Sequence, residues 1–145
     1  MWRKRFKNHT IYYAVRVFLA LINAIPRPTA LSFCDTLGRL VCVCAPGTRR
    51  RVIANLNQAF GAERTMPDIQ RMAVQVFRDL GRNAVDAVRM RHITPETVDQ
   101  LVAVTGMDHL EAAYAKGKGV LAVSGHMGNF ELLGAYLAMK GFRVT

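Results

Sequence analysis

The chain has 145 residues, of which 51% are hydrophobic, and its formal net charge is +10. This length accommodates a domain with a core of its own. The three cysteines, Cys34, Cys42 and Cys44, are an odd number, and Cys-Val-Cys lacks the usual spacing of a zinc site. We therefore expect small buried thiols in a reducing compartment, and neither a disulfide framework nor a metal centre.

The positive charge is concentrated in the first third of the chain. Residues 1–51 contain ten Lys or Arg and one acidic residue, whereas residues 52–145 contain ten basic and nine acidic residues. A nucleic-acid interface would interleave basic residues with exposed aromatic side chains or present a recognition helix, and the sequence shows neither pattern. Because the basic residues flank apolar segments, we expect membrane lipids as partners and no nucleic acid.

Residues 1–28 are predicted to form an N-terminal membrane-associating helix. An apolar run extends from Ile11 to Ile25, and His9, Arg16 and Asn23 recur in it every seven residues, which places them on one narrow stripe. This pattern is typical of a helix in the membrane interface, or of a short span in which Arg16 snorkels toward the headgroups. An ordinary core helix is the alternative.

Residues 29–92 are predicted to be helical. We expect helices over residues 30–45, after Thr48, and over residues 67–90, and an ion pair between Asp35 and Arg39 one turn later. Arg49, Arg50 and Arg51 follow a Pro-Gly turn. They form either a solvated helix start or a site for a phosphate or lipid headgroup.

Residues 93–145 are predicted to begin an α/β domain. Strands are expected over residues 98–104, over 120–123 and from residue 142, with helices over 107–116 and 129–140 between them. Gly117 is expected to end the first of these helices in the left-handed conformation.

The segment around His126 carries the predicted chemistry. An apolar run leads to Gly125-His126-Met-Gly128-Asn129-Phe-Glu131, where Glu131 falls in the first turn of a predicted helix. One nitrogen of His126 can then act as general base while Glu131 holds the other. Backbone N–H groups from Gly128 onward are expected to bind an anionic oxygen, and the glycines leave room for substrate.

Other interpretations of the same residues remain. Ser124 does not lie in a Gly-x-Ser-x-Gly motif, so we do not expect it to be a nucleophile. His92 and His109 show no metal-ligand spacing to His126, so we expect no metal site. His126 could also be a structural histidine at a strand end. Asn129 either orients substrate or only starts the helix.

The sequence Gly-His-Met-Gly-Asn-Phe-Glu-Leu, with its His-x4-Glu spacing, resembles the bacterial lipid A biosynthesis acyltransferases, which are related to the glycerophosphate acyltransferases. The segment Arg-Arg-Arg-Val-Ile-Ala-Asn-Leu from Arg49 is similar to one that precedes their catalytic domain. This resemblance implies a glycerophosphate-acyltransferase-like domain and a catalytic pair His126 and Glu131. It also implies that the chain corresponds to the N-terminal half of such an enzyme, so that residues 93–145 are the start of a truncated catalytic domain.

The resemblance further implies an inner-membrane enzyme with its catalytic part on the cytoplasmic side. It would transfer a fatty acyl group from acyl carrier protein to a hydroxyl of a membrane lipid, such as a lipid A precursor, without a cofactor. The alternatives are a phospholipid or glycolipid acyltransferase using acyl-CoA, a membrane-anchored scaffold without chemistry, and an esterase that uses the same pair to activate water.

Overall fold

The computed structural model describes residues 2–125 and 127–144, with side chains from residue 8 onward. Within these residues there are six α-helices: α1 (Trp2–Ala24), α2 (Arg27–Cys44), α3 (Pro46–Phe60), α4 (Met66–Arg89), α5 (Met107–Tyr114) and α6 (Phe130–Met139). Two short 3₁₀ turns cover Met90–His92 and Val98–Gln100. The chain forms two compact units, residues 1–89 and residues 90–145.

The first unit is organised by the antiparallel packing of α2 on α4. Gly38 of α2 faces α4, and Gly81 of α4 faces α2. A Cβ atom on Gly38 would clash with the carbonyl oxygen of Phe77, and a Cβ atom on Gly81 would clash with the carbonyl oxygen of Cys34. Both helices therefore approach backbone to backbone. Packing this close strengthens dispersion contacts along the whole interface.

Two ion pairs accompany this contact. The guanidinium of Arg27 donates to both carboxylate oxygens of Asp86, at 2.8 and 2.9 Å, and this hydrogen bond raises the pKa of Arg27. Arg78 Nε donates to both oxygens of Asp35, at 2.9 and 3.0 Å. The predicted ion pair of Asp35 with Arg39 on the same helix was wrong. The packing of α4 on α2 places Arg78 next to Asp35 instead.

The end of α1 is tied to the same pair of helices. Arg89 Nη1 donates to the carbonyl oxygens of Ile22 and Ile25, both at 2.8 Å, and so satisfies acceptors at the C-terminal end of α1. Ile22 is buried with Ala30, Cys34 and Val85. The last turns of α1 are thus part of the core, whereas residues 8–17 are exposed.

The second unit is held by contacts around its short helices. Val98 is fully buried, and its amide donates to the Thr94 carbonyl at 2.9 Å. Lys140 Nζ donates to Asp99 Oδ2 at 2.7 Å, which raises the pKa of Lys140. The rings of Tyr114 and Phe142 meet edge to face with centroids 5.0 Å apart.

The predicted α/β fold, and with it the glycerophosphate-acyltransferase-like sheet, was wrong. The chain is 72% helical, and residues 2–125 and 127–144 contain no strand. At residues 98–104 the backbone turns, because the Thr97 hydroxyl accepts the Thr94 amide at 2.9 Å and local bonds replace a ladder. Residues 120–123 adopt no regular structure, since a strand needs a neighbouring strand to bond its N–H and C=O groups.

A helix that crosses a membrane has to be long and apolar. In the described part of the chain no single helix is long and apolar enough to span a bilayer. The consecutive helices α2 and α3 meet the requirement together by length and composition, but they are bent by 96°.

The packing of α2 on α4 predicts the cost of a methyl group at Gly38. We expect Gly38→Ala to lower the free energy of unfolding by about 2–3 kcal/mol, because the backbone of Phe77 has to move away. Gly47→Ala is the matched control, since Gly47 is also helical but has open space around it. Its stability should be unchanged or rise by up to about 1 kcal/mol. Urea unfolding of both variants measures this, and equal stabilities would contradict the close approach.

The cysteines should differ in reactivity. Cys44 is exposed, whereas Cys34 and Cys42 are buried, and burial raises the pKa of the Cys34 thiol. We expect iodoacetamide to modify Cys44 quickly in the native protein and the other two only as fast as the unit opens. Mass spectrometry of a labelling time course, with labelling in urea as the reference, checks this. Fast modification of Cys34 in native buffer would contradict the packing.

Candidate active site

Three glycines shape the chain that leads to the predicted catalytic residues. Gly117, Gly119 and Gly128 have φ values of 66°, 77° and 60°, a region that residues with a side chain rarely adopt. Gly117 follows α5 and turns the chain as expected from the sequence. Gly128 turns it again, directly before α6.

The start of α6 is fixed by Asn129. Asn129 is the N-cap residue, and its side-chain Oδ1 accepts the backbone N–H of Leu132 at 3.2 Å. Leu132 and Tyr136 are buried, which holds α6 in the second unit. Glu131 consequently lies in the first helical turn, where the helix macrodipole favours a negative charge.

The segment before α6 faces solvent. Leu121 is 92% exposed, Val123 91% and Met127 83%. The Met127 amide donates to the Gly125 carbonyl at 2.8 Å, which keeps the chain tight at this point. The segment therefore presents exposed apolar side chains next to the predicted site.

The predicted site residues are placed as follows. Gly125, Gly128, Asn129 and Glu131 fall together in the segment that enters α6, and Gly125, Gly128 and Glu131 are exposed. His126 lies outside the described residues, so its pairing with Glu131 stays a prediction.

One feature of Asn129 was not evident from the sequence. Its Nδ2 atom is buried and has no hydrogen-bond partner among the described residues, although Oδ1 on the same amide is bonded. A buried donor without an acceptor costs about 1–3 kcal/mol, so its persistence calls for an explanation. Only the residue type could have signalled it, because Asn at an N-cap carries an amide NH₂ group that Asp and Ser lack.

The second unit has an open pocket of about 480 Å³ lined by Met107, Glu111, Tyr114, Ala115, Tyr136, Lys140, Gly141 and Phe142, and it includes none of the predicted site residues. Within the described part of the chain, no three His, Cys, Asp or Glu side chains are grouped so that they would hold a metal ion.

The sequence model of the bacterial lipid A biosynthesis acyltransferases matches residues 2–145. This assigns the chain to the acyltransferases, which transfer acyl groups from a carrier to an acceptor. Within that class, the chain belongs to the bacterial lipid A biosynthesis acyltransferase family, which confirms the family resemblance seen in the sequence. No curated protein and no solved structure matches it.

The cap on α6 predicts how substitutions at Asn129 act on local stability. Asn129→Ala removes the acceptor for the Leu132 amide and should destabilise the helix start by about 1 kcal/mol, whereas Asn129→Asp retains an acceptor and should be close to neutral. Amide hydrogen exchange at Leu132 measures this: we expect about fivefold faster exchange in Asn129→Ala only. Equal exchange in both variants would show that the cap is not formed.

Proposed function

We propose that this protein transfers a fatty acyl group from an acyl carrier protein thioester to a hydroxyl of a membrane lipid, such as a lipid A precursor. Membership of the lipid A biosynthesis acyltransferases over residues 2–145 carries this proposal. The capped helix start that follows Gly128, with Glu131 in its first turn, supports the assignment of the reaction to this segment.

His126 is the proposed general base. It takes the proton from the acceptor hydroxyl as the oxygen attacks the thioester carbonyl, and the C–S bond then breaks as the proton passes to the departing thiolate. Glu131 is the proposed partner of the second imidazole nitrogen, where it fixes the tautomer and stabilises the imidazolium. The reaction needs no covalent enzyme intermediate and no cofactor.

The negative oxygen that forms on the carbonyl carbon needs hydrogen-bond donors. The start of α6 offers the amides of its first turn, of which Asn129 Oδ1 takes that of Leu132. Asn129 Nδ2 is a further donor, with no acceptor among the residues that the structure describes. We assign Asn129 two tasks, the cap through Oδ1 and orientation of the acyl carbonyl through Nδ2.

The proposed location is the cytoplasmic side of the inner membrane. The family is typically associated with that membrane, and an acceptor lipid is reached from its surface. The excess of basic residues in the first 51 positions supports contact with anionic headgroups. Exposed apolar side chains along α1, among them Ile11, Tyr13 and Val17, fit a helix at the interface.

Replacement of His126 tests the reaction. The longest natural chain that contains these residues is supplied with acyl carrier protein thioester and a total lipid extract, and the lipids are analysed by mass spectrometry. We expect His126→Ala to reduce acylated lipid by about 10²–10⁴-fold, because a positioned base contributes that much. Glu131→Gln should lower the rate less, because it retains a hydrogen-bonding group.

The products separate the alternatives. Free fatty acid in place of acylated lipid would indicate an esterase, and equal background product from wild type and His126→Ala would indicate a scaffold. Transfer from acyl-CoA but not from acyl carrier protein would correct the donor. Asn129→Ser serves as the control for the helix start, since Ser caps helices about as well as Asn, adds no charge and lacks the Nδ2 amide; a lower kcat with unchanged stability would support the second task of Asn129.

A further inference from the structure

Helix α2 has two apolar faces, and only one of them is packed. Ala30, Cys34, Gly38 and Cys42 are buried. Six other apolar positions on α2 are exposed. Val43 lies among the polar positions, and the remaining five are Phe33, Leu37, Leu40, Val41 and Cys44. Their spacing of four, three, one and three residues follows the helical repeat, so they form one stripe along α2.

The exposed surface of α2 is not apolar throughout. Ser32, Thr36 and Arg39 are exposed on the remaining side, where Val43 is the one apolar residue among these positions. The helix therefore has a packed side, an apolar exposed side and a mainly polar exposed side. Phe33 is 52% exposed and Leu40 56%. A continuous exposed apolar surface of this kind marks a site where something binds, whereas single exposed apolar residues are ordinary.

Three arginines lie next to the end of the stripe. Helix α3 starts directly after the 96° bend that follows Cys44. Arg49, Arg50 and Arg51 fall in its first two turns, within about 10 Å of the bend along the helix axis. Arg50 and Arg51 are exposed, and Arg49 Nε is buried without a hydrogen-bond partner among the described residues.

The arginines determine what kind of partner fits. Cations at a helix N-terminus oppose the macrodipole, and an anion placed there would be favoured by the charges and by the helix together. A purely apolar partner would cover the stripe but leave the arginines unneutralised. A bilayer with anionic lipids supplies an apolar layer for the stripe and phosphates for the arginines, side by side.

We propose that the α2 stripe and Arg49–Arg51, together called the α2–α3 surface, bind an anionic lipid bilayer. The stripe inserts at the boundary of headgroups and acyl chains, and the arginines contact lipid phosphates. This inference deepens the membrane association proposed above and rests on it, and it adds a second contact to the one assigned to α1.

Vesicle binding by the full chain tests the stripe. The vesicles are phosphatidylcholine alone or phosphatidylcholine mixed with phosphatidylglycerol, and binding is measured by co-sedimentation. We expect Leu37→Glu to weaken binding to the mixed vesicles by about tenfold or more, since an apolar side chain leaves the lipid and a charge enters it. Ser32→Glu is the matched control, because it adds the same charge about 140° away around α2 and should bind nearly as wild type.

The arginines are tested with the same vesicles. Arg50→Gln combined with Arg51→Gln should weaken binding to the mixed vesicles by about tenfold or more and change binding to phosphatidylcholine little, since each cation contributes about 1 kcal/mol at an anionic surface. Both residues are exposed, so the variant should unfold in urea as wild type does.

Three outcomes would overturn the proposal. Wild-type binding in Leu37→Glu would show that α1 alone contacts lipid, and an equal loss in Leu37→Glu and Ser32→Glu would show that charge matters and the stripe does not. A change from dimer to monomer in Leu37→Glu, with vesicle binding intact, would assign the stripe to a second copy of the chain. If the wild-type protein fails to bind either vesicle, the membrane association itself is wrong, which distinguishes that failure from failure of this surface.

Discussion

The close approach of α2 and α4 is the contact on which the first unit depends. Gly38 and Gly81 let the two backbones meet, and a larger residue at either position would push the helices apart. The ion pairs Arg27–Asp86 and Arg78–Asp35 join the two helices along the same interface. Partly buried ion pairs contribute little unless their geometry is good, and the glycines set the helix separation on which that geometry depends. Arg89 extends the arrangement to α1.

The sequence predicted elements whose cause is local and failed where the cause is distant. The long helix expected over residues 67–90 is confirmed as Met66–Arg89, because its periodicity and the proline at its start are features of the segment itself. The strands expected at residues 98–104 and 120–123 were wrong, because an apolar run becomes a strand only beside another strand. The partner of Asp35 was wrong for a similar reason, since Arg78 lies 43 positions away.

The candidate site divides in the same way. Asn129 was expected to start a helix or to orient substrate, and it caps α6 in the structure. The left-handed conformation of Gly128 was not predicted, although its cause is local as well. That Asn129 Nδ2 has no hydrogen-bond partner within residues 8–125 and 127–144 depends on what surrounds the side chain, which no spacing in the sequence encodes. The same holds for the α2 stripe: periodicity shows that α2 has apolar positions, but only packing shows which of them remain in contact with water.

The two units would serve the proposed reaction through different physical effects. An acceptor lipid is confined to a surface, so a protein held at that surface meets it at a higher effective concentration without any added catalytic group. The apolar stripe and arginines of the first unit would supply this confinement. The second unit then needs only to hold a base, its partner and oxyanion donors in a fixed arrangement. The Asn129 cap contributes to this by fixing where α6 starts, and therefore where Glu131 lies relative to the turn at Gly128.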